Sequence, residues 1–155
     1  MGRGNHKMLG LRLVRLIEKH SQEIADGLLE QLRTSERTMD YRKLPEKDLR
    51  AALVSLYGHL EEWLLTKTES DVEKYFNGVG ARRSQEGIPA SQLAWALMLS
   101  KGQLWAFVYR EGGAERALEL YGELEFLETL DRFFDRAVYY SLNGYEQDKR
   151  MSKAA

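Results

Sequence analysis

Residues 79–97, VGARRSQEGIPASQLAWAL, contain a helix end, a tight corner and then a helix that is apolar on nearly every side. Gly87 fits the left-handed residue that closes many helices, and Pro89 prevents that helix from continuing. In the next helix Leu93 and Trp95 point to faces about 200° apart at 100° per residue. A helix without a polar face must be buried on two sides, so this stretch predicts a partner for it.

The rest of the chain predicts an all-α fold, a helical bundle of about five helices. Only two prolines are present, and apolar residues recur at helical spacing along most of the chain. Ser70 and Glu73 form a predicted capping box for the third helix. The predicted elements are a helix over residues 7–33, a polar loop over 34–44, a helix from Pro45, a helix from Ser70 to the corner, a helix over 90–110, a break at Gly112-Gly113 and a last helix over 114–142.

Length and composition limit the classes of protein that this chain could represent. With 155 residues it fits one domain, predicted over residues 1–145, and residues 146–155 read as a polar tail or the start of a linker to an output domain. The net charge of −1 argues against nucleic-acid binding. The absence of cysteine excludes disulfides, thiol catalysis and cysteine-ligated metals. No segment is long and apolar enough for a membrane span, so we expect a cytoplasmic protein.

The last two long helices carry apolar residues on a second face, which predicts a homodimer interface. The alternative is a monomeric bundle in which both helices are central and buried all round, but five helices offer little protein to cover them. The predicted interface residues are Trp95, Met98, Leu99, Trp105, Tyr109, Phe126, Phe133 and Phe134.

No constellation of residues predicts catalysis or metal binding. The three histidines, His6, His20 and His59, have no metal-ligand spacing and form no triad with an acid and a nucleophile. His59 lies at the border of an apolar stripe, where a local hydrogen bond would satisfy it. The open alternative is that His59 or His20 ligates heme or senses pH. We therefore predict no enzyme activity, no metal and no cofactor.

Arg83 is the most informative charged residue, because it continues the face of the third helix that carries Phe76 and Val79. An arginine aimed inward needs a carboxylate or carbonyl partner. Two interpretations stay open: Arg83 makes a structural salt bridge or extends to the surface, or it lines a sensory pocket. Residues Arg83, His59 and Phe76 are the candidate pocket.

The corner resembles the heme-contacting region of bacterial globin-coupled sensors, which typically show an Ile-Gly-x-x-His-x-x-Ile-Gly-Leu-Pro-like run before an aromatic-rich helix. Here residues 79–89 read VGARRSQEGIP, so the position of the heme ligand falls on Arg83, which cannot ligate iron. Within that superfamily the chain is most similar to the non-heme, globin-like N-terminal domains of RsbR-type stressosome co-antagonists and to related sensor domains fused to kinases.

The resemblance implies a bacterial, dimeric, globin-like domain for signal input, which relays a signal through its last helix to an output domain or signalling protein. Such output domains are often of the sulfate-transporter/anti-sigma-antagonist type. Two other hypotheses remain: a heme sensor that uses His59 or His20, and a structural interaction protein whose acidic last helix binds a basic partner.

Overall fold

The computed structural model describes residues 3–111 and 117–154, and all the regular elements in these two ranges are helices. The predicted all-α class is therefore confirmed, but the count of about five helices is too low. The predicted break at Gly112-Gly113 and the start of the last helix at residue 114 lie outside the described residues. The helices are α1 (Arg3–Lys19), α2 (Ser21–Thr34), a 3₁₀ helix (Glu36–Lys43), α3 (Glu46–Gly58), a π-helical turn (Glu62–Thr66), α4 (Glu69–Gln85), α5 (Ala90–Glu111) and α6 (Ala117–Ala154).

The predicted first helix is two helices, because the chain bends at His20, whose φ of −105° and ψ of 23° are not helical. The bend has a packing reason. α1 packs mainly against α6, whereas α2 packs against α3 and α5, so one straight helix could not bury both apolar stripes. A second break follows α3 at His59, before the π-helical turn.

The segment predicted as a loop over residues 34–44 is mostly the 3₁₀ helix Glu36–Lys43. It is held to the bundle by hydrogen bonds. The buried Thr38 hydroxyl donates to the Leu32 carbonyl oxygen at 2.8 Å, and the Asp40 N–H donates to the Gln92 side chain at 2.9 Å. These bonds place Tyr41 inside the bundle, where its side chain is buried.

The N-cap of α4 is Thr68, two residues earlier than the predicted Ser70, so the capping box predicted at Ser70 is wrong. The Thr68 hydroxyl accepts a hydrogen bond from the Asp71 N–H at 3.1 Å, and the Asp71 carboxylate accepts one from the Thr68 N–H at 3.0 Å. The sequence Thr-x-x-Asp provides the same reciprocal chemistry as Ser-x-x-Glu. Thr68 is therefore the N-cap, and Ser70 lies inside the first turn of α4.

The corner forms as predicted. Gly87 has a φ of +78°, and it is the one residue with positive φ among those that the structure describes. The Ile88 N–H donates to the Arg83 carbonyl oxygen at 3.0 Å and the Gly87 N–H to that of Ser84 at 3.1 Å, which is the Schellman arrangement. The Tyr145 hydroxyl donates to the Ile88 carbonyl oxygen at 2.6 Å and so attaches the corner to α6.

The core lies around α5 and α6. The predicted inner stripe of α5 is confirmed, since Leu93, Leu104 and Phe107 are buried. α6 is longer than predicted, because it continues past residue 142 to Ala154. α4 packs most closely against it, with no room for a Cβ atom at Gly80 or Gly144.

Candidate functional site

A cavity of about 80 Å³ lies among α2, α3, α4, α5 and the 3₁₀ helix. α3 and α4 make almost no close backbone contact, and residues of both helices line the cavity. Most of the lining is apolar, and the lining residues with a polar side-chain group are Arg83, Tyr41, Tyr75 and Ser100. The apolar lining side chains are Leu28, Leu32, Leu49, Ala52, Leu53, Leu56, Phe76, Val79, Leu93, Ala96 and Leu97.

Arg83 reaches this cavity from the last turn of α4, and its side chain is only 11% exposed. Its Nη1 donates to the Glu86 carboxylate at 2.6 Å, one turn further along the chain. The buried Nε, however, has no hydrogen-bond partner within the described ranges. The two interpretations of Arg83 in the sequence are therefore compatible: it forms a salt bridge, and it also lines a cavity.

Tyr41 is the neighbour that the sequence analysis missed. The Arg83 guanidinium lies 5.7 Å from the centre of the Tyr41 ring. Burial raises the pKa of the Tyr41 hydroxyl to about 12, although the positive charge of Arg83 acts in the opposite direction. The available signal was the spacing of three residues from Thr38 to Tyr41 and from Tyr41 to Leu44, which would place the three side chains on one side of a short helical segment.

Of the three candidate pocket residues, the structure brings Arg83 and Phe76 to the cavity and places His59 elsewhere. His59 is exposed, and its Nδ1 lies 2.8 Å from the Ser55 carbonyl oxygen. His20 is also outside the cavity: its Nδ1 lies 3.4 Å from the Glu23 carboxylate, and its ring packs on Phe107. Neither of the histidines suggested as heme ligands therefore lines the space beside Arg83.

The predicted interface residues divide into two groups. On α5, Met98 is 50% and Tyr109 75% exposed, while Trp95, Leu99 and Trp105 are half-buried. On α6, by contrast, Phe126, Phe133 and Phe134 are buried in the core of the single chain, so their side chains are not available at a surface.

The outer face of α6 carries other large apolar residues that the sequence analysis passed over. Leu120 is 50% and Leu124 57% exposed. Their spacing of four residues places them on one face, turned away from Phe126. That spacing was the signal for a second apolar stripe. The stripe and the exposed α5 residues lie on two helices that pack together, because Trp105 on α5 donates to Asp131 on α6 at 2.9 Å.

The described part of the chain contains no group of three or more His, Asp or Glu side chains placed to hold a metal ion. In the same ranges, none of the helices has both the length and the apolar composition needed to cross a membrane.

The class that the fold defines is an all-helical bundle with a cavity among its helices and large apolar side chains at its surface. A family model gives the particular group: the RsbT co-antagonist protein rsbRD N-terminal domain matches residues 22–151. Because the match covers most of the chain, the chain belongs to this family, whose members are regulatory sensor domains of the stressosome. The resemblance to the N-terminal domains of RsbR-type stressosome co-antagonists is thus confirmed. No curated protein and no solved structure matches the chain.

Proposed function

We propose that the chain is a non-enzymatic, non-heme, globin-like signal-input domain that works as a homodimer and relays a signal along α6. The family supplies the regulatory context. The observation that carries the dimer is the exposed apolar face of α5 and α6, with Met98, Tyr109, Leu120 and Leu124 each at least half exposed. Large apolar side chains exposed on two packed helices favour an interface.

The proposed relay rests on the position of α6. This helix contacts α1, α4, α5 and the π-helical turn, and it is bonded to the corner through Tyr145. Gln85, at the end of α4, donates to the Asp148 carboxylate at 3.0 Å, six residues before the described end of α6. A displacement at the cavity therefore has a short path to the exposed end of α6, where a signalling partner or output domain would be coupled.

We propose a domain without heme because no residue suggested as a heme ligand is both able to bind iron and placed at the cavity. Arg83 occupies the position that the resemblance assigns to the heme ligand, and a guanidinium stays protonated and has no lone pair to offer iron. His20 and His59 make local contacts outside the cavity. With a volume of about 80 Å³, the cavity suits a molecule much smaller than heme.

The homodimer is tested with a charge on the proposed interface. Replacing two exposed apolar residues in the double variant Met98→Glu, Leu124→Glu should give a monomer, because two carboxylates per chain would be desolvated at the interface. The matched control is Leu65→Glu: Leu65 is 48% exposed, like Met98, but lies on the π-helical turn. Light scattering after size exclusion gives the mass. A dimeric double variant, or a monomeric wild-type chain, would contradict the proposal.

A further inference from the structure

A groove between α5 and α6 lies beside Met98, one of the exposed apolar residues of the proposed interface. Its volume is about 190 Å³. The side chains that line it are Leu97, Met98, Lys101, Phe134, Asp135 and Val138. Leu97 and Phe134 are buried, so the floor of the groove is apolar, whereas Met98 is 50% exposed. The groove therefore combines unfilled apolar space with a methionine side chain that protrudes beside it.

The groove also carries one charge of each sign. Lys101 lies on α5 with its side chain 33% exposed, and Asp135 lies on α6 and is exposed. Within the described ranges Asp135 has no ion pair or hydrogen bond, and Lys101 has a single long ion pair, with 3.5 Å between its Nζ and the Asp131 carboxylate. Both charges are therefore available to a molecule that covers the groove.

A surface with one charge of each sign can complement itself in a symmetric dimer. A two-fold axis makes both copies use the same surface, so a contact from one residue to another is repeated in the opposite sense. Lys101 and Asp135 line the same groove and so lie at the same level along the two helices. If the axis runs between α5 and α6 along their length, Lys101 lies opposite Asp135 of the second copy, and the ion pair forms twice. An axis that crosses the helices at the groove places two Lys101 side chains opposite each other, which is repulsive.

The apolar part of the groove fits the same arrangement. With α5 of one copy facing α6 of the other, Met98 is brought to the groove of the second copy. An apolar cavity of about 150 Å³ holds benzene, which is larger than a methionine side chain, so a groove of about 190 Å³ has room for one. Methionine is also flexible enough to fill an irregular space.

We propose that this groove makes the chain select a second copy of itself, through reciprocal ion pairs between Lys101 and Asp135 and through insertion of Met98 of each copy into the groove of the other. The inference rests on the proposed homodimer, to which it adds the residues that recognise the partner and the orientation of the two copies. Because the axis runs along α5 and α6, both α6 helices end on the same side of the dimer. Charge pairs of this kind contribute more to orientation than to affinity, since like charges repel in the wrong arrangement.

The test reverses the two charges in separate chains. Lys101→Asp leaves two acidic side chains in the groove and Asp135→Lys leaves two basic ones, so each variant should repel a second copy of itself. The dissociation constant of the dimer, measured by analytical ultracentrifugation at low salt, should rise about tenfold or more in each variant. An equal mixture of the two variants should form a heterodimer with a dissociation constant close to that of the wild-type dimer. The control is Lys74→Asp on exposed α4, which should leave the dissociation constant unchanged.

The mixture separates recognition between chains from repair within one chain, because neither variant regains an opposite charge in its own groove. The preference for the heterodimer should fade in about 1 M salt, where charges more than about 3 Å apart are screened. Two variants that dimerise as tightly as the wild-type chain, or a mixture that associates no more tightly than its components, would overturn the proposal.

The orientation is measured in a chain that keeps both charges. The sequence has no cysteine, so Arg150→Cys provides a single site for a spin label on an exposed part of α6. This site lies about 22 Å beyond Asp135 along the helix. In the proposed dimer the two labels are separated only across the bundle, and pulsed electron paramagnetic resonance should give about 30 Å or less.

An axis across the helices at the groove would place the two labels at opposite ends, about 45 Å or more apart, and that distance would overturn the proposal. The label experiment decides the orientation even where a charge variant does not fold. A monomeric wild-type chain contradicts the proposed homodimer itself, whereas a wild-type dimer with unaffected charge variants contradicts only the role of the groove.

Discussion

Two glycines set how closely α4 and α6 approach each other. A Cβ atom at Gly80 would overlap the backbone carbonyl group of Ser141, and one at Gly144 would overlap the backbone of Asn77. Close approach of two helices through glycine allows backbone-to-backbone packing that no larger residue permits. The obstacle in both cases is backbone, which cannot rotate away as a side chain can.

Gly80→Ala should lower the free energy of unfolding by about 2 to 4 kcal/mol, because the added methyl group forces α4 and α6 apart. The control is Gly78→Ala on the same helix, where an added Cβ meets nothing within 4 Å. That change should raise the free energy of unfolding by about 0.5 to 1 kcal/mol, since alanine favours helix over glycine. Urea denaturation measures both. Equal effects of the two substitutions would mean that the helices are not in this contact.

Tyr41 predicts a loss of stability in alkali. Its neutral form is favoured in the fold, because the pKa rises from 10.0 to about 12 on burial. The resulting stabilisation is complete below pH 10 and is lost as the pH rises from 10 to 12. It amounts to about 2 to 3 kcal/mol.

Tyr41→Phe should therefore reduce the fall in unfolding free energy between pH 10 and pH 12 by about 2 to 3 kcal/mol, measured by urea denaturation at each pH. A fall should remain, because burial also raises the pKa of Tyr57. Tyr139→Phe removes an exposed tyrosine from α6 and should leave the fall as steep as in the wild-type chain. If Tyr41→Phe declined as steeply as the wild-type chain, ionisation of buried Tyr41 would not be its cause.

Helix ends that depend on neighbouring residues could be predicted from the sequence, whereas bends that depend on tertiary packing could not. The corner at Gly87 and Pro89 was predictable because a left-handed cap and a missing N–H act within a few residues. The bend at His20 was not, since it follows from the different partners of α1 and α2. Likewise, Arg83 was predictable as an inward arginine from its spacing. The position of Tyr41, in contrast, depends partly on the bond from Asp40 to Gln92, which lies 52 residues further along the chain.

The start of α4 can be tested by comparing two neighbouring hydroxyl residues. Thr68→Ala should lower the free energy of unfolding by about 1 kcal/mol, because it removes the acceptor for the Asp71 N–H. Ser70→Ala, on the exposed first turn, should change it by less than about 0.5 kcal/mol. Thermal and urea denaturation of the two variants decide between the caps. A larger loss of unfolding free energy in Ser70→Ala than in Thr68→Ala would show that Ser70 is the N-cap, as the sequence alone predicted.

The molecule as a whole is organised around α6, whose 38 residues span about 57 Å. By the same rise per residue, the 17 residues of α4 span about 26 Å. The N-terminal half of α6 is linked to α1 by the Arg12–Glu123 ion pair at 3.8 Å. The later part of α6 lies against α4 and the corner. α6 contacts α4 and α5, which line the cavity, and its length would allow it to carry a change there to a distant partner, as the proposed relay requires.

The proposed relay predicts that the corner controls the order of the end of α6. Tyr145→Phe removes the hydrogen bond from Tyr145 to the Ile88 carbonyl oxygen, at a cost of about 1 kcal/mol. Hydrogen exchange of the backbone amides in residues 145–154 should accelerate, while that of α2 and α5 stays unchanged, because local opening of a helix end needs less free energy than global unfolding. Tyr139→Phe, on the exposed side of the same helix, should leave exchange in 145–154 as it is. Unaltered exchange in Tyr145→Phe, or equal acceleration throughout the chain, would show that the corner does not control the order of the end of α6.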